Sequence, residues 1–320
     1  MSVEKESPEA LRIIEQADAE AGRDNAKFVR ALNRLHGDEH LRGAVRGARA
    51  VIMRRVVSPV PAFHIYDDPR FLANARTLAK RTTGGMRIIG GRVVPAGQFM
   101  DCVAVGNDAQ FGCTGTLIAP NVVVTAGHCV DFATRIGIGA DVSSLPLTVI
   151  KVKKKVRHPK YHKGLHNDLM VLVLAKNVVG VTPRALATKA MIDAATDARV
   201  VGFGNVDAAG TFGYGVKRYV DIPIASNSCE GSVGGHDDHV SYGCDPKYEL
   251  VAGRPLLAQD TCTGDSGGPI YLPKGNGWVL AGATSRATDS AMNNCGDGGV
   301  YVRIDKYRAW IASIPGVTLP

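Results

Sequence analysis

An all-β barrel domain is expected from about residue 88 to the end of this chain, behind a mostly α-helical N-terminal segment. Three observations lead there. After residue 88, short β-branched runs dominate, among them Asn121-Val122-Val123-Val124, Leu147-Thr148-Val149-Ile150, Leu169-Met170-Val171-Leu172-Val173-Leu174 and Arg199-Val200-Val201-Gly202-Phe203. Clusters of Gly, Asp and Asn separate them, the rhythm of closed antiparallel sheet. Before that point apolar residues recur at helical spacing: Leu11, Ile14 and Ala17, then Phe28, Leu32 and Leu35. The 320 residues are 45% hydrophobic and 21% charged, enough to bury a core in one large domain or two.

In chain order, Ser7-Pro8 is a helix start, with Ser as cap and Pro in the first turn. Gly37 and Gly43 break this run. A second, basic helix follows, with Arg42, Arg46 and Arg49 on one side and Val45, Ile52 and Met53 available for burial. Pro59 and Pro61 end it. Residues 58–87 form a connector with one short helix near Pro69–Lys80 and a flexible stretch at Thr82-Thr83-Gly84-Gly85-Met86. The strands then run to a short closing helix at Asp305–Ile311. No internal repeat is evident.

The formal net charge is +8, and residues 1–87, with 16 Lys and Arg against 11 Asp and Glu, carry +5 of it. No nucleic-acid motif accompanies this excess, so a solvated helical surface is expected and no nucleic acid partner. No apolar stretch is long enough to span a bilayer. Met1-Ser2-Val3-Glu4-Lys5-Glu6-Ser7 precedes no apolar core of a secretory signal. All seven cysteines fall after residue 100, and spacing alone does not assign their connectivity.

Three segments carry the chemistry. Thr125-Ala126-Gly127-His128-Cys129, Asn167-Asp168-Leu169-Met170 and Gly264-Asp265-Ser266-Gly267-Gly268-Pro269 supply, in order, a histidine, an aspartate and a serine. A serine hydroxyl is a poor nucleophile until a base takes its proton, and a carboxylate must hold that base in one tautomer. Read alone, Asp168 also fits a strand-entry turn and Gly267-Gly268-Pro269 a tight turn. Two more segments, Arg87-Ile88-Ile89-Gly90-Gly91 and Gly299-Val300-Tyr301-Val302-Arg303, complete an ordered set of five.

In these five motifs residues 88–320 resemble a trypsin-like serine protease of the chymotrypsin family. The resemblance implies two packed antiparallel six-stranded β-barrels with a C-terminal helix. It implies His128, Asp168 and Ser266 as catalytic residues and the N–H groups of Gly264 and Ser266 as an oxyanion hole. Asp260 would form the floor of a specificity pocket, favouring Arg or Lys before the scissile bond, with Ser285, Ala287 and Gly299 around it; Ser285 also matches a family serine that lies near the catalytic Asp and supports it. Cleavage of Arg87–Ile88 would free an α-amino group to pair with Asp265, making residues 1–87 a candidate propeptide. The alternatives are an intracellular protease that retains residues 1–87 as a regulatory domain, and a catalytically silent binding protein on the same fold.

The resemblance also pairs Cys113 with Cys129, Cys229 with Cys244 and Cys262 with Cys295, leaving Cys102 as a buried free thiol. Complete pairs favour an oxidising compartment, extracellular or periplasmic, while the missing signal leaves an intracellular location open. Two departures concern the pocket: Arg286 stands where Trp is usual and Ala287 where Gly is usual. The Arg is expected to turn neighbouring subsites toward acidic or polar residues. Gly127 replaces the usual Ala. His236-Asp237-Asp238-His239 is read as solvated loop polarity, with no metal and no cofactor expected. Expected partners are protein or peptide substrates, a protein inhibitor and an activating protease, around a monomer.

Overall fold

The computed structural model describes residues 68–81 and 91–319, except 145, 162–165, 207–212, 234, 255–259, 292 and 294. The chain divides into two compact units. The first, residues 1–64 with 234–236, lies almost entirely outside the described residues, and with it the helices expected over 8–57. The second, residues 65–233 and 237–320, holds everything below.

Six strands close the first barrel: β2 (Cys102–Gly106), β3 (Phe111–Ala119), β4 (Val122–Thr125), β5 (Arg135–Ile138), β6 (Thr148–Arg157) and β7 (Met170–Leu174), in the order β2-β3-β4-β7-β6-β5. β5 closes back on β2, pairing Val105 with Ile136. The second barrel is built from β8 (Asp197–Gly202), β9 (Arg218–Ser226), β10 (Glu249–Ala252), β11 (Pro269–Lys274), β12 (Gly277–Ala287) and β13 (Gly299–Arg303), and the β8–β9 pairing closes it. A short β1 (Arg92–Val93) adds to the edge of β9, with Arg92 opposite Tyr219. Closure leaves no long unpaired edge in either barrel.

The apolar run of β7 shows why these strands need not alternate with polar residues. Met170, Leu172 and Leu174 point into the first barrel with Val103, Leu117 and Ile136. Leu169, Val171 and Val173 point the other way, into a second cluster that joins the barrels through Val124, Tyr271, Val302 and Ile311. Both faces are buried, and each such side chain contributes about 1.5–3 kcal/mol by leaving water. The second barrel has its own interior of Ile222, Ile224, Leu250, Ile270 and Tyr301.

Among the described residues helices are few and short: α1 (Pro69–Arg81), α2 (Lys189–Asp193), α3 (Asp238–Tyr242) and α4 (Arg308–Ala312). α1 matches the expected connector helix and lies against β9 and β8. The closing helix is split: Ile304–Lys306 form a 3-10 turn and α4 starts after Tyr307. Disulfides join Cys113 to Cys129, Cys229 to Cys244 and Cys262 to Cys295. Cys102 is free and fully buried, and burial pushes its thiol pKa far up.

Candidate active site

His128 sits in a 3-10 helix, Gly127–Asp131, that follows β4 directly, and the Cys113–Cys129 disulfide ties this turn to β3. Asp168 stands just before β7, and Asn167 ahead of it has a left-handed backbone (φ 54°) that asparagine tolerates. The Asn167 side chain accepts from the Tyr307 hydroxyl (3.0 Å) and donates to the Lys160 carbonyl (3.1 Å), fixing the turn.

The Asp168 carboxylate holds His128 at two points. Oδ1 accepts the backbone N–H of His128 (2.9 Å), and Oδ2 lies 2.8 Å from Nδ1. Oδ2 also accepts from the Ser285 hydroxyl at 2.7 Å. Ser285 reaches it because β12 bulges between Thr284 and Arg286, turning one residue out of the ladder. Burial opposes ionisation of Asp168. The hydrogen bonds from His128 and Ser285 and the His128 charge outweigh burial, so the carboxyl stays below the usual range. An ionised Asp168 keeps the imidazole proton on Nδ1 and leaves Nε2 as an acceptor.

Ser266 lies between β10 and β11 of the second barrel, yet its loop is bonded to the first. Thr114 donates its N–H to the Ser266 carbonyl (2.8 Å) and its hydroxyl to the Gly264 carbonyl (2.8 Å). Gly267 is required by contact: a Cβ there would stand 2.1 Å from Thr125 Oγ1 and 2.4 Å from the Ala126 nitrogen. That approach brings the serine loop against the segment leading to His128. Gly264 takes φ 102°. The N–H of Asp265 bonds the Cys262 carbonyl, whereas among the described residues the N–H groups of Gly264 and Ser266 have no acceptor. Two free donors flanking one occupied donor are what an oxyanion site requires.

Two further carboxylates lie nearby. Asp260 accepts from the Tyr301 hydroxyl (2.8 Å) and the Thr261 hydroxyl (3.3 Å). Gly299 leaves this space open, since a Cβ there would come 3.0 Å from Asp260 Oδ1. Asp265 accepts the N–H groups of Gly204 (2.7 Å) and Cys262 (2.9 Å) and pairs with no cation among the described residues. Burial pushes Asp260 up to about 7 and Asp265 up to about 6, against the hydrogen bonds each receives. Both residues keep some exposed surface, and their carboxyl groups lie close to packed backbone, Asp265 beside Gly202 and Gly204 and Asp260 beside Gly299. A cavity touches both and is also lined by Gly91, Gly202, Gly204 and Arg218.

Arg286 corrects an expectation. Its guanidinium is bound by both oxygens of Glu249 (2.7 Å each) and by the Gly243 carbonyl (2.8 Å). Glu249 is 1% exposed. The Arg286 charge is therefore answered within the protein and is not a free cation for acidic substrate residues. Sequence reasoning missed Glu249, whose one visible signal is a carboxylate opening the apolar strand Glu249-Leu250-Val251-Ala252. Asp238 is also unlike its solvated-loop expectation: it is buried, opens α3 and is bound by Arg70. Among the described residues the one set of side chains close enough to share a metal is Cys113, His128 and Cys129, two of which are joined in a disulfide.

Comparison with known proteins agrees with this geometry. The model of the Trypsin family matches residues 88–311. The chain belongs to the trypsin family. It is 30% identical over 249 residues to a trypsin-like protease of Streptomyces glaucescens, covering 75% of this chain and 87% of that protein. It is 31% identical to trypsin 5G1 of Aedes aegypti, over 75% of this chain and 88% of that one. Serine proteinase stubble of Drosophila melanogaster is 33% identical over 73% of this chain, which spans only 31% of that longer protein. Membership makes the two closed barrels those of a trypsin-like serine protease, and three disulfides are compatible with an oxidising location. No helix among the described residues is long and apolar enough to cross a membrane.

Proposed function

We propose that this protein is a serine endopeptidase that cleaves after Arg or Lys and is made as a precursor activated at Arg87–Ile88. The observation that carries the proposal is the grip of Asp168 on both the backbone N–H and Nδ1 of His128, with Ser285 completing the carboxylate's bonding. In the proposed mechanism His128 Nε2 takes the proton of Ser266 as Oγ attacks the substrate carbonyl. The Gly264 and Ser266 N–H groups receive the oxyanion. His128 then protonates the leaving amine, and a water, deprotonated by the same ring, hydrolyses the acyl-enzyme. Asp260 would bind a guanidinium or ammonium group by a charge-assisted hydrogen bond, which is most favourable once its proton is lost.

Activation has a local basis. Asp265 sits beside a cavity that Gly91 helps to line, and β1 fixes Arg92 against Tyr219. Ile88 lies three residues before Gly91, so a new α-amino group can reach about 10 Å from it. An ammonium there would give Asp265 the cation it lacks among the described residues. The substrates would be proteins in an extracellular or periplasmic setting, which the disulfides support.

The test is to incubate full-length protein and Ser266→Ala with trace trypsin, following chain mass and hydrolysis of Arg, Lys and Phe amides. Cleavage between Arg87 and Ile88 with Arg and Lys turnover, absent from the variant, is the expected result. Cleavage there without turnover would overturn the enzyme reading, and turnover by the uncut chain would overturn the precursor reading.

A further inference from the structure

We propose that α1 remains bound to the second barrel after activation as a noncovalent light chain, and that it buttresses the specificity pocket from behind. The inference rests on the activation reading above only for where the cut falls. Residues 1–87 contain no cysteine, so no disulfide can hold the released fragment. Its hold must come from packing and polar contacts, and α1 has both.

Arg70 is the polar link. Its guanidinium bonds Asp68 on its own segment (2.7 Å) and Asp238 at the start of α3 (2.8 and 3.2 Å). The Asp68 and Asp238 side chains are 0% and 3% exposed. Asp238 is further held by the Ser226 hydroxyl (2.6 Å), which in turn accepts the Cys229 N–H (3.1 Å). Removing α1 would strand the buried Asp238 carboxylate without its cation, a state folded proteins strongly disfavour. Gly231 is shaped for this link, since a Cβ there would lie 2.4 Å from Arg70 Nη1.

Phe71 is the apolar link. It is 1% exposed and belongs to one buried cluster with Ala225, Cys229, Tyr242, Val251 and Val300. Asn74 adds a hydrogen bond to the Ile224 carbonyl of β9 (3.0 Å). An aromatic anchor beside a charge pair whose carboxylates are buried while Arg70 stays about a third exposed (36%) has the composition of an interface hot spot.

The same contacts lead to the pocket. The Arg254 guanidinium lies 5.2 Å from the Phe71 ring centre, and the Arg254 backbone packs against Gly298, next to Gly299. Val300 follows on β13, and Tyr301 after it bonds Asp260. Phe71 therefore supports, through Val251, Val300 and Arg254, the strand ends that frame Asp260. Its role is positioning; it touches no substrate.

The experiment uses the full chain with residues 82–86 replaced by a recognition site for an unrelated site-specific protease. The cut then falls between α1 and β1 whether or not Arg87–Ile88 is the natural site, so failure of retention and failure of the activation reading are separable. After cutting, the fragment carrying α1 should co-elute with the catalytic chain at micromolar concentration. It should separate in denaturant without reductant. Phe71→Ala and Arg70→Ala should each weaken retention at least 100-fold. Asn74→Ala, the milder variant should either of those not fold, should weaken it about tenfold. For naturally activated enzyme, loss of the fragment should raise KM for Arg substrates about tenfold, with a smaller change in kcat. Separation of the fragment in native buffer would overturn the proposal. So would retention undiminished in a folded Phe71→Ala or Arg70→Ala protein, because the hold would then lie elsewhere in residues 1–87.

Discussion

Asp168 and the pair Asp260 and Asp265 are carboxylates enclosed in the same molecule, yet their surroundings drive them in opposite directions. Asp168 has three donors, one of them the His128 imidazole, and its pKa is lowered. Asp260 and Asp265 receive hydroxyl and backbone donors without a contacting cation among the described residues, and rise to about 7 and about 6. Burial opposes ionisation in all three, so the difference lies in the partners. Asp168 is complete within the fold. The other two have no cation in contact among the described residues, with Arg218 acting on Asp265 only from a distance; under the proposed function a substrate side chain and a new chain terminus would supply the missing charges.

The largest effect is expected at Asp168. Asp168→Asn should leave the fold intact but lower kcat by about 10,000-fold, because an amide no longer selects the tautomer with its proton on Nδ1. Steady-state kinetics beside an unchanged circular dichroism spectrum would show it.

Asp260→Asn should lower kcat/KM for Arg and Lys substrates by about 100-fold or more and leave a Phe substrate little changed. The same carboxyl sharpens the comparison through pH. Its folded pKa is raised, so the free pocket is neutral below about 7 and charged above it. The ratio of kcat/KM for Arg over Phe should therefore climb through about pH 7, because taking the ratio cancels His128. Stability runs the other way. A carboxyl whose pKa is raised by folding stabilises below its unfolded value near 3.9 and loses that contribution as pH rises through about 7. Asp260→Asn should thus melt higher than the parent at pH 8, and the gain should shrink at pH 4.

A smaller effect is expected at Ser285. Ser285→Ala removes one of the three donors to Asp168 and should lower kcat about tenfold, with an upward shift of the acidic limb of the pH profile. The smallest is Gly127→Ala. The added methyl would meet the Tyr161 ring at 3.0 Å, Asp168 Oδ1 at 3.2 Å and Arg157 Cγ at 3.3 Å; the ring and the arginine stem can turn away, and the carboxylate need give only a few tenths of an ångström. Activity should stay within about threefold.

The barrels were legible because their strands carry long apolar runs with turn residues between them, as Leu169–Leu174 illustrates. The candidate catalytic residues His128, Asp168 and Ser266 were legible because each lies inside a short motif. What stayed hidden were contacts between distant residues. Arg286 read as a free charge because Glu249, 37 positions away, carries no local sign of pairing. Asp238 read as loop polarity because Arg70 lies 168 residues upstream. The helix at Pro69–Arg81 could be foreseen from its composition, but its seat on the second barrel depends on Phe71 meeting residues from four separate segments. The Ser285–Asp168 contact was expected from the resemblance, but the bulge that aims Ser285 there leaves no mark in Ala283-Thr284-Ser285-Arg286.

The serine loop is encoded with one barrel and fastened to the other. Thr114 grips it from β3 at two carbonyls, and Gly267 rests against Thr125 and Ala126 with no room for a methyl group. Such a loop works as a gauge of alignment. A slip of the barrels too slight to melt a strand still displaces Ser266 from His128, so under the proposed function warming should abolish activity before it unfolds the protein.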